Sequence, residues 1–403
     1  MKQDISLSAI IAGLLAVLIS YAGPLIIVFQ AASAARLDNA HLSSWIWAIS
    51  IGSGVTGIVL SLRYRTPVIN AWSTPGAALL VTSLAGVAYS EAIGAFIFSA
   101  ALIAVLGWSG LFDKITQHVP KTLAAAMLAG ILFRFGVDVF TSVQQQPLLA
   151  GAMFIAYLVF KRATPRYAIA LVLLLGCGFA AVTGRIAFGG VQLSLAAPVF
   201  TWPQFSIRAM VSIGIPLCVV TLTGQYLPGI AVLRSAGYQT PANPLVGLTG
   251  LGSILLAPFG AHGLNLAAIT AAICTGREAH EDPGKRYVAG LACGVFYILI
   301  GSFGATLAAL FFALPKELVA TIAGLALFGA IMSSLSAAMA DERQRESALI
   351  TFLVTASNVT FLGLGAAFWG LALGLFASLV LNGKFAWTRS ALSRLGLAKT
   401  SAR

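Results

Sequence analysis

The stretch TPVINAWSTPGAALLVTSL, residues 66–84, interrupts a long apolar run with two prolines and a cluster of small polar residues. Its centre, Ser73–Gly76, has the sequence Ser-Thr-Pro-Gly. This is a helix-start signal, because a hydroxyl caps free backbone N–H groups and proline fits the first helical turn. A second stretch, GSILLAPFGAHGLNLAAIT at residues 252–270, carries Pro258 and Gly260 between two apolar runs. Each stretch therefore predicts a short extended segment that leads into a short helix.

The composition places both stretches inside a membrane. Of the 403 residues, 59% are hydrophobic and only 9% are charged, whereas soluble domains are about 25% charged. Since roughly 20 apolar residues span a bilayer as a helix, we predict an all-α polytopic membrane protein with fourteen spans, in which short strands precede half-helices 3 and 10. The predicted spans are residues 6–33, 42–62, 73–89, 91–112, 121–140, 147–161, 167–184, 206–233, 242–257, 261–276, 286–313, 316–338, 347–361 and 363–382.

The basic residues support this count and give an orientation. With the N-terminus in the cytoplasm, and with residues at span ends counted in the adjoining loops, 19 of the 24 Lys and Arg residues are cytoplasmic, 4 are outside and 1 lies in the interior of a span. This is the distribution that the positive-inside rule describes. Both termini are then cytoplasmic, and the net charge of +12 reflects membrane orientation rather than a nucleic-acid partner.

Three internal echoes divide the chain into two halves. They are VPKTLAAAMLAG from Val119 with LPKELVATIAGL from Leu314 at an offset of 195, SYAGPLIIV from Ser20 with GQYLPGIAV from Gly224 at 204, and AWSTPGAALL from Ala71 with PFGAHGLNLA from Pro258 at 187. Seven spans per half is an odd number, so the second half is inverted in the membrane, an architecture found in many secondary transporters. We predict a first inverted repeat at residues 1–200, a second at 201–385 and a basic cytoplasmic tail at 386–403.

The two half-helix starts are predicted to form an anion site at the membrane midplane. A helix N-terminus carries about half a positive charge and free N–H groups. The ends predicted at Ser73–Gly76 and Ala261–Gly263 would therefore bind an anion without a buried Lys or Arg. The candidate substrate-binding residues are Tyr21, Ser73, Thr74, Pro75, Gly76, Gln225, Ala261, His262, Gly263 and Asn265.

Several of these residues admit two roles. His262 either supports the broken helix through hydrogen bonds or contacts substrate and carries a proton, since histidine titrates near physiological pH. Gln225 and Asn265 either orient a polar substrate or bond between helices. Tyr21 either stacks on an aromatic substrate or packs against its neighbours.

Asp138 is the only acidic residue in the interior of a predicted span, since Glu91 and Glu317 lie at the first or second position of theirs. It follows Arg134 by four residues, a spacing that places both on one helix face, so it either forms a structural ion pair or takes part in gating and proton coupling. The sequence has no G-x-x-x-x-G-K-[ST] phosphate loop, H-E-x-x-H or G-x-S-x-G motif, and its four cysteines form no C-x-x-C pair. We expect no enzymatic activity, no cofactor and no metal site.

Three segments resemble the benzoate:proton symporter family of bacteria. They are GLLAVLISYAGPLIIVFQAA at Gly13–Ala32, NAWSTPGAALL at Asn70–Leu80 and APFGAHGLNLAAITAAICTG at Ala257–Gly276. That family is more remotely similar to nucleobase and sulfate-type transporters, which have seven plus seven inverted spans divided into a core and a gate domain. The resemblance implies a core of spans 1–4 and 8–11, a gate of spans 5–7 and 12–14, a bacterial inner-membrane location and alternating access. By analogy with related folds it also allows a homodimer.

The sequence departs from the nucleobase symporters at the residues that bind substrate there. Those proteins use carboxylates on spans 8 and 10, where this chain has Gln225 and the pair Leu264 and Asn265. Loss of a carboxylate suits an anionic substrate, because like charges repel strongly at low dielectric. It leaves proton coupling to His262, to Asp138, or to a proton carried with the substrate.

The resulting hypothesis is proton-coupled uptake of benzoate or a related aromatic carboxylate. The carboxylate would lie between Ser73–Gly76 and Ala261–Gly263, with its ring against Tyr21, Trp72 and Phe259. The alternatives are the same fold carrying another small anion or a nucleobase, and an anion channel.

Overall fold

The computed structural model describes residues 4–112, 121–165, 167–186, 192–277, 279–359, 361–362 and 364–382. The basic tail predicted at residues 386–403 lies outside this part of the chain.

Long apolar helices make up most of the described chain. By length and composition, seven of them are able to cross a membrane, and the helix pair Pro283–Ser302 and Gly304–Phe311, bent by 66°, gives an eighth crossing if it is one span. The protein is therefore a mostly helical polytopic membrane protein. The helices are α1 Leu7–Ala22, α2 Pro24–Ala34, α3 Asn39–Tyr64, α4 Thr74–Ser83, α5 Tyr89–Trp108, α6 Lys121–Gln145, α7 Pro147–Ala163, α8 Ala168–Val182, α9 Ile207–Ser235, α10 Ala242–Leu256, α11 Ile269–Thr275, α12 Tyr287–Ser302, α13 Gly304–Ala313, α14 Lys316–Ala338, α15 Arg345–Ala356 and α16 Ala366–Asn382.

Two short strands, β1 (Asn70–Trp72) and β2 (Leu264–Leu266), join the two interrupted segments. They pair antiparallel, with Ala71 opposite Asn265. The ladder extends beyond the strands through the N–H of Ala267, which donates to the Ile69 carbonyl at 2.9 Å. Backbone groups inside a membrane must find hydrogen-bond partners within the protein. The backbone of β1 supplies these partners to β2, and the backbone of β2 supplies them to β1.

The second half-helix begins later than the sequence suggested. The prediction placed its N-terminus at Ala261–Gly263, but these residues precede β2, and α11 starts at Ile269. Gly260 instead caps the 3₁₀ turn Ala257–Phe259 that follows α10: its φ of 108° is left-handed, a conformation common just after helices and favoured by glycine. The chain then runs extended, because β2 takes its backbone hydrogen bonds from β1 rather than from a helix.

The strand positions also correct one of the internal echoes. The strands start at residues 70 and 264, 194 apart, and the helices that follow start at residues 74 and 269, 195 apart. These separations agree with the offset of 195 between the two Pro-Lys segments. The echo with an offset of 187, which matched Pro75 to His262, is therefore misaligned by seven or eight residues.

The helices pack in two groups. In one, α3 packs along α12, α5 along α10, and α1 against α11 and α12. In the other, α6 packs along α14 and α15, and α7 against α8 and α14. The paired breaks belong to the first group and face the second, so the region between the groups is where a cavity can form.

Glycines set the distance between α3 and α12. A Cβ atom added at Gly294 would lie 2.7 Å from the Gly54 carbonyl oxygen, and one added at Gly54 would lie 2.6 Å from the Gly294 carbonyl oxygen. Small residues at such contacts let helix backbones approach closely in membrane proteins.

We expect Gly294→Val to lower the thermal unfolding midpoint of the purified protein in detergent, because overpacking costs about 1–3 kcal/mol and the opposing atom is backbone that cannot rotate away. Gly178→Val is the matched control, since a Cβ at Gly178 meets no described atom within 4 Å. Equal midpoints for the two variants would show that this contact does not set the helix distance.

Candidate functional site

A cavity of about 1240 Å³ lies between the two helix groups. The paired breaks line one side of it through β1, the start of α4, the middle of α9 and the start of α11, while α6, α7, α8 and α14 line the other. Its walls are mostly apolar. Three basic residues at helix ends, Lys121, Lys161 and Arg277, also border it.

The start of α4 faces this cavity with few free donors. Ser73 caps the helix: its Oγ accepts from the Gly76 N–H at 3.0 Å and bonds to the hydroxyl of Thr221 at 3.2 Å. Pro75 has no N–H. The N–H of Thr74 is therefore the one donor of the first turn left for another acceptor, and Thr74 and Pro75 both line the cavity.

Gln225 supplies that acceptor. With its amide oriented to satisfy both ends, the oxygen accepts from the Thr74 N–H at 3.2 Å and the nitrogen donates to the Leu266 carbonyl at 3.3 Å. One side chain thus bridges the start of α4 and the end of β2. It is 9% exposed and borders the cavity.

Gln225 lies in a π-helical turn, Leu222–Tyr226, within α9. Pro228 explains why the helix is irregular there: it has no N–H to donate to the Gly224 carbonyl four residues earlier. Such π turns occur often at functional sites.

His262 lies behind the strand pair and does not border the cavity. The indole N–H of Trp45 donates to its Nδ1 at 3.0 Å, and its Nε2 lies 3.0 Å from the Ser73 carbonyl oxygen. An indole can only donate and a carbonyl can only accept, so the ring is neutral with its proton on Nε2. Both nitrogens are used to hold α3, β2 and the α4 start together.

The other predicted residues surround the cavity without reaching it. Tyr21 bonds to the Ser50 hydroxyl at 2.6 Å and packs edge-on against Trp72, which does line the cavity. Asn265 is fully buried, and neither of its amide atoms has a hydrogen-bond partner in the described chain. The remaining four are also buried and lie outside the lining, namely Ser73, Gly76, Ala261 and Gly263.

Asp138 forms the ion pair expected from its spacing. Its carboxylate lies 3.4 Å from Arg134 Nε, and the two side chains are 39% and 71% exposed. Neither residue lines the cavity. Exposed pairs of this kind contribute about 0–1 kcal/mol in water.

Residues at the true start of α11 were missed by sequence reasoning. Ala267, Ala268 and Thr270 line the cavity, but the sequence Ala-Ala-Ile-Thr contains no capping or proline signal ahead of the helix. Tyr157 and Leu325–Leu327, on the facing helices, were also missed. Only the tertiary fold brings them to the cavity.

A helical membrane protein whose two interrupted spans meet beside a cavity has the construction of a solute transporter. The family model for the Benzoate membrane transport protein matches residues 3–380, and this chain belongs to that family of membrane transporters.

Two relatives are similar over nearly their whole length. The Benzoate membrane transport protein of Acinetobacter baylyi is 48% identical over 381 residues, which cover 94% of this chain and 97% of that protein. The Inner membrane protein YdcO of Escherichia coli is 44% identical over 373 residues, covering 93% and 95% respectively.

Solved structures show the same fold at low identity. The transmembrane domain of a cyanobacterium bicarbonate transporter, BicA, aligns with a TM-score of 0.58 at 14% identity, covering 93% of this chain and 96% of that one. The murine Slc26a9 anion transporter in its inward-facing state aligns with a TM-score of 0.61 at 13% identity, covering 94% and 68%.

We expect His262→Ala to destabilise the protein, because the buried Trp45 N–H would lose its acceptor, at a cost of about 1–3 kcal/mol for a buried group left unsatisfied. The Ser73 carbonyl would lose one of its two hydrogen bonds and keep the one from the Ala77 N–H. The measurement is the thermal midpoint in detergent. His41→Ala is the control, since His41 is partly exposed and bonds to exposed Asp38. A variant as stable as the wild type would remove His262 from the supporting network.

Proposed function

We propose that this protein takes up benzoate or a closely related aromatic carboxylate across the bacterial inner membrane by alternating access. The observation that carries the proposal is a mostly apolar cavity with the N-terminus of α4 in its wall. No Asp, Glu or His side chain lies among the described residues that line it. Such a site suits a ring with one negative group. The Acinetobacter baylyi relative is named a benzoate membrane transport protein, which supports the substrate, and the Escherichia coli relative is named an inner membrane protein, which supports the location.

The carboxylate is proposed to bind at the Thr74 end of the cavity. The partial positive charge of a helix N-terminus attracts an anion without the desolvation cost of a buried cation. Ala268 and Thr270, at the start of α11, line the same cavity as Thr74. The aromatic ring would then lie against Trp72 and Pro75, which offer apolar surface beside the donor.

The architecture we propose has fourteen spans in two inverted repeats, residues 1–200 and 201–385. Each repeat would contain one interrupted span, β1–α4 or β2–α11, and the separation of 194–195 residues between them supports the repeat. The first helix group would form the core, from spans 1–4 and 8–11. The second would form the gate, from spans 5–7 and 12–14.

The cavity is proposed to open to the cytoplasm. Lys121, Lys161 and Arg277 border it, and the positive-inside pattern assigns all three to cytoplasmic loops. Movement of the core past the gate, as in an elevator, would then expose the same site to the outside. The cationic mouth would raise the local concentration of an anion by electrostatic attraction.

We propose that the coupling proton travels with the substrate. His262 has no free ring nitrogen, Asp138 pairs with Arg134 outside the cavity lining, and no described residue bordering the cavity carries a carboxylate. In this scheme the substrate binds as a carboxylate and takes up the proton before the core moves, which lowers the cost of carrying a charge through a site of low dielectric.

The test is uptake of radiolabelled benzoate into proteoliposomes with an inward proton gradient. We expect the wild type to accumulate benzoate, a protonophore to abolish accumulation, and unlabelled aromatic carboxylates but not uracil to compete. Thr74→Pro should raise the KM about tenfold or more. It deletes the N–H at a position where proline otherwise suits the helix, and a hydrogen bond to a charged group is worth about 1.5–3 kcal/mol.

Thr74→Ala is the matched control, because it removes the side chain but keeps the backbone N–H. It should lose less activity than Thr74→Pro. Equal losses in the two variants would move the carboxylate away from the start of α4. Absence of benzoate uptake by folded wild-type protein would overturn the substrate while leaving the transporter fold intact.

A further inference from the structure

The donor that the proposed site offers to a carboxylate is already occupied. In the first turn of α4, Pro75 has no N–H and the Gly76 N–H is bonded to Ser73 Oγ. The remaining N–H, on Thr74, is taken at 3.2 Å by the amide oxygen of Gln225. An anion cannot reach this donor unless Gln225 moves.

We propose that Gln225 is an internal substitute for the substrate, which fills the anion position in the empty transporter and is displaced when a carboxylate binds. The inference rests on the proposed function of the same site. An amide oxygen that accepts from a helix N-terminus makes the contact that a carboxylate oxygen would make, but without its charge. A charged acceptor forms the stronger hydrogen bond, so the substrate carboxylate can displace the Gln225 amide oxygen from the Thr74 N–H.

The backbone around Gln225 suits such a movement. The π-helical turn Leu222–Tyr226 carries the side chain, and Pro228 leaves the Gly224 carbonyl without its regular helical donor. Gly224 lies against α4, since a Cβ there would be 3.2 Å from Pro75 Cγ. The residue before Gln225 therefore has no side chain to anchor the turn, and the wall beside Gln225 is the cavity itself.

A second observation comes from Asn265. Its amide is fully buried, and neither of its polar atoms has a partner in the described chain. Asn265 lies directly opposite Ala71 in the strand pair, and opposite residues share one face of the ribbon. Ala71 lines the cavity.

The neighbours of Asn265 place its amide close to the start of α4. A Cβ built on Gly263 would lie 3.6 Å from Asn265 Nδ2 and 3.8 Å from Ser73 Cβ. Buried amides normally have hydrogen-bond partners. Displacement of Gln225 would open a route from the cavity to this unused donor, which would give the carboxylate a second hydrogen bond beside the Thr74 N–H.

A competitor and an ordinary substrate ligand respond in opposite ways to mutation. Removal of a ligand weakens binding, whereas removal of a competitor strengthens it. We would measure benzoate binding to the purified full-length protein by isothermal titration calorimetry for wild type, Gln225→Ala and Gln225→Met. The Kd should fall about fivefold in both variants, the effect of one net hydrogen bond that no longer has to be broken.

Gln225→Met keeps the length of the side chain and its packing, so a folding defect of the smaller variant does not decide the outcome. Gln192→Ala, an exposed glutamine away from the cavity, is the control and should bind as the wild type does. An unchanged or higher Kd in the folded Gln225 variants, with normal binding by the wild type, would overturn this inference alone. No binding by the wild type would overturn the proposed function with it.

Discussion

The hydrogen-bonded pairing of β1 with β2 is the contact on which the rest of the structure depends. An interrupted helix inside a membrane exposes backbone groups that lipid cannot satisfy, and each unsatisfied group costs several kcal/mol. Here two interruptions, far apart in sequence, satisfy each other through the register that places Ala71 opposite Asn265. Ser73, Gln225 and His262 then form hydrogen bonds with backbone groups that the strand pairing leaves unpaired. The two helix interruptions are tolerated in the membrane because hydrogen bonds between β1 and β2 join them.

This arrangement explains why the polar residues of the site have such different environments. His262 is committed on both ring nitrogens to Trp45 and Ser73, so it acts as a brace for the strand pair. Gln225 is committed to backbone groups at the edge of the cavity, where its bonds can be exchanged. Thr74 presents the one donor of the α4 start that a ligand can compete for. In the proposed site, support and recognition are therefore assigned to different side chains close to the same strand crossing.

The absence of a carboxylate from the described cavity lining is a matter of charge. A buried acidic side chain beside an anionic substrate would repel it strongly at low dielectric. A helix N-terminus attracts the same anion and needs no buried cation. An uncharged Gln225 can accept a hydrogen bond from that N-terminus when the site is empty. A carboxylate side chain at the same place would bind the N-terminus more strongly and would compete with the substrate.

Much of this architecture was predictable from local signals. The prolines and small polar residues marked both interruptions, and Ser-Thr-Pro-Gly marked the start of α4. Thr74, Pro75 and Gln225, which the sequence assigned to one site, border one cavity. The start of α11 was placed too early, because Pro258 and Gly260 are breakers that end α10, whereas Ala267 and Ala268 carry no start signal.

The environment of His262 was beyond prediction for another reason. Its partner Trp45 lies 217 residues away, and a single sequence does not reveal such a contact. The same limit applies to the facing wall of the cavity, where Tyr157 and the middle of α14 are brought in by packing alone.

The most direct test of the central claim is a cryo-EM structure of the protein with benzoate bound. We expect the carboxylate to lie about 3 Å from the Thr74 nitrogen and the ring to lie beside Trp72. We also expect the Gln225 amide to be turned away from α4. Benzoate bound elsewhere with the Gln225 bridge intact, or with its carboxylate against His262, would contradict the central claim.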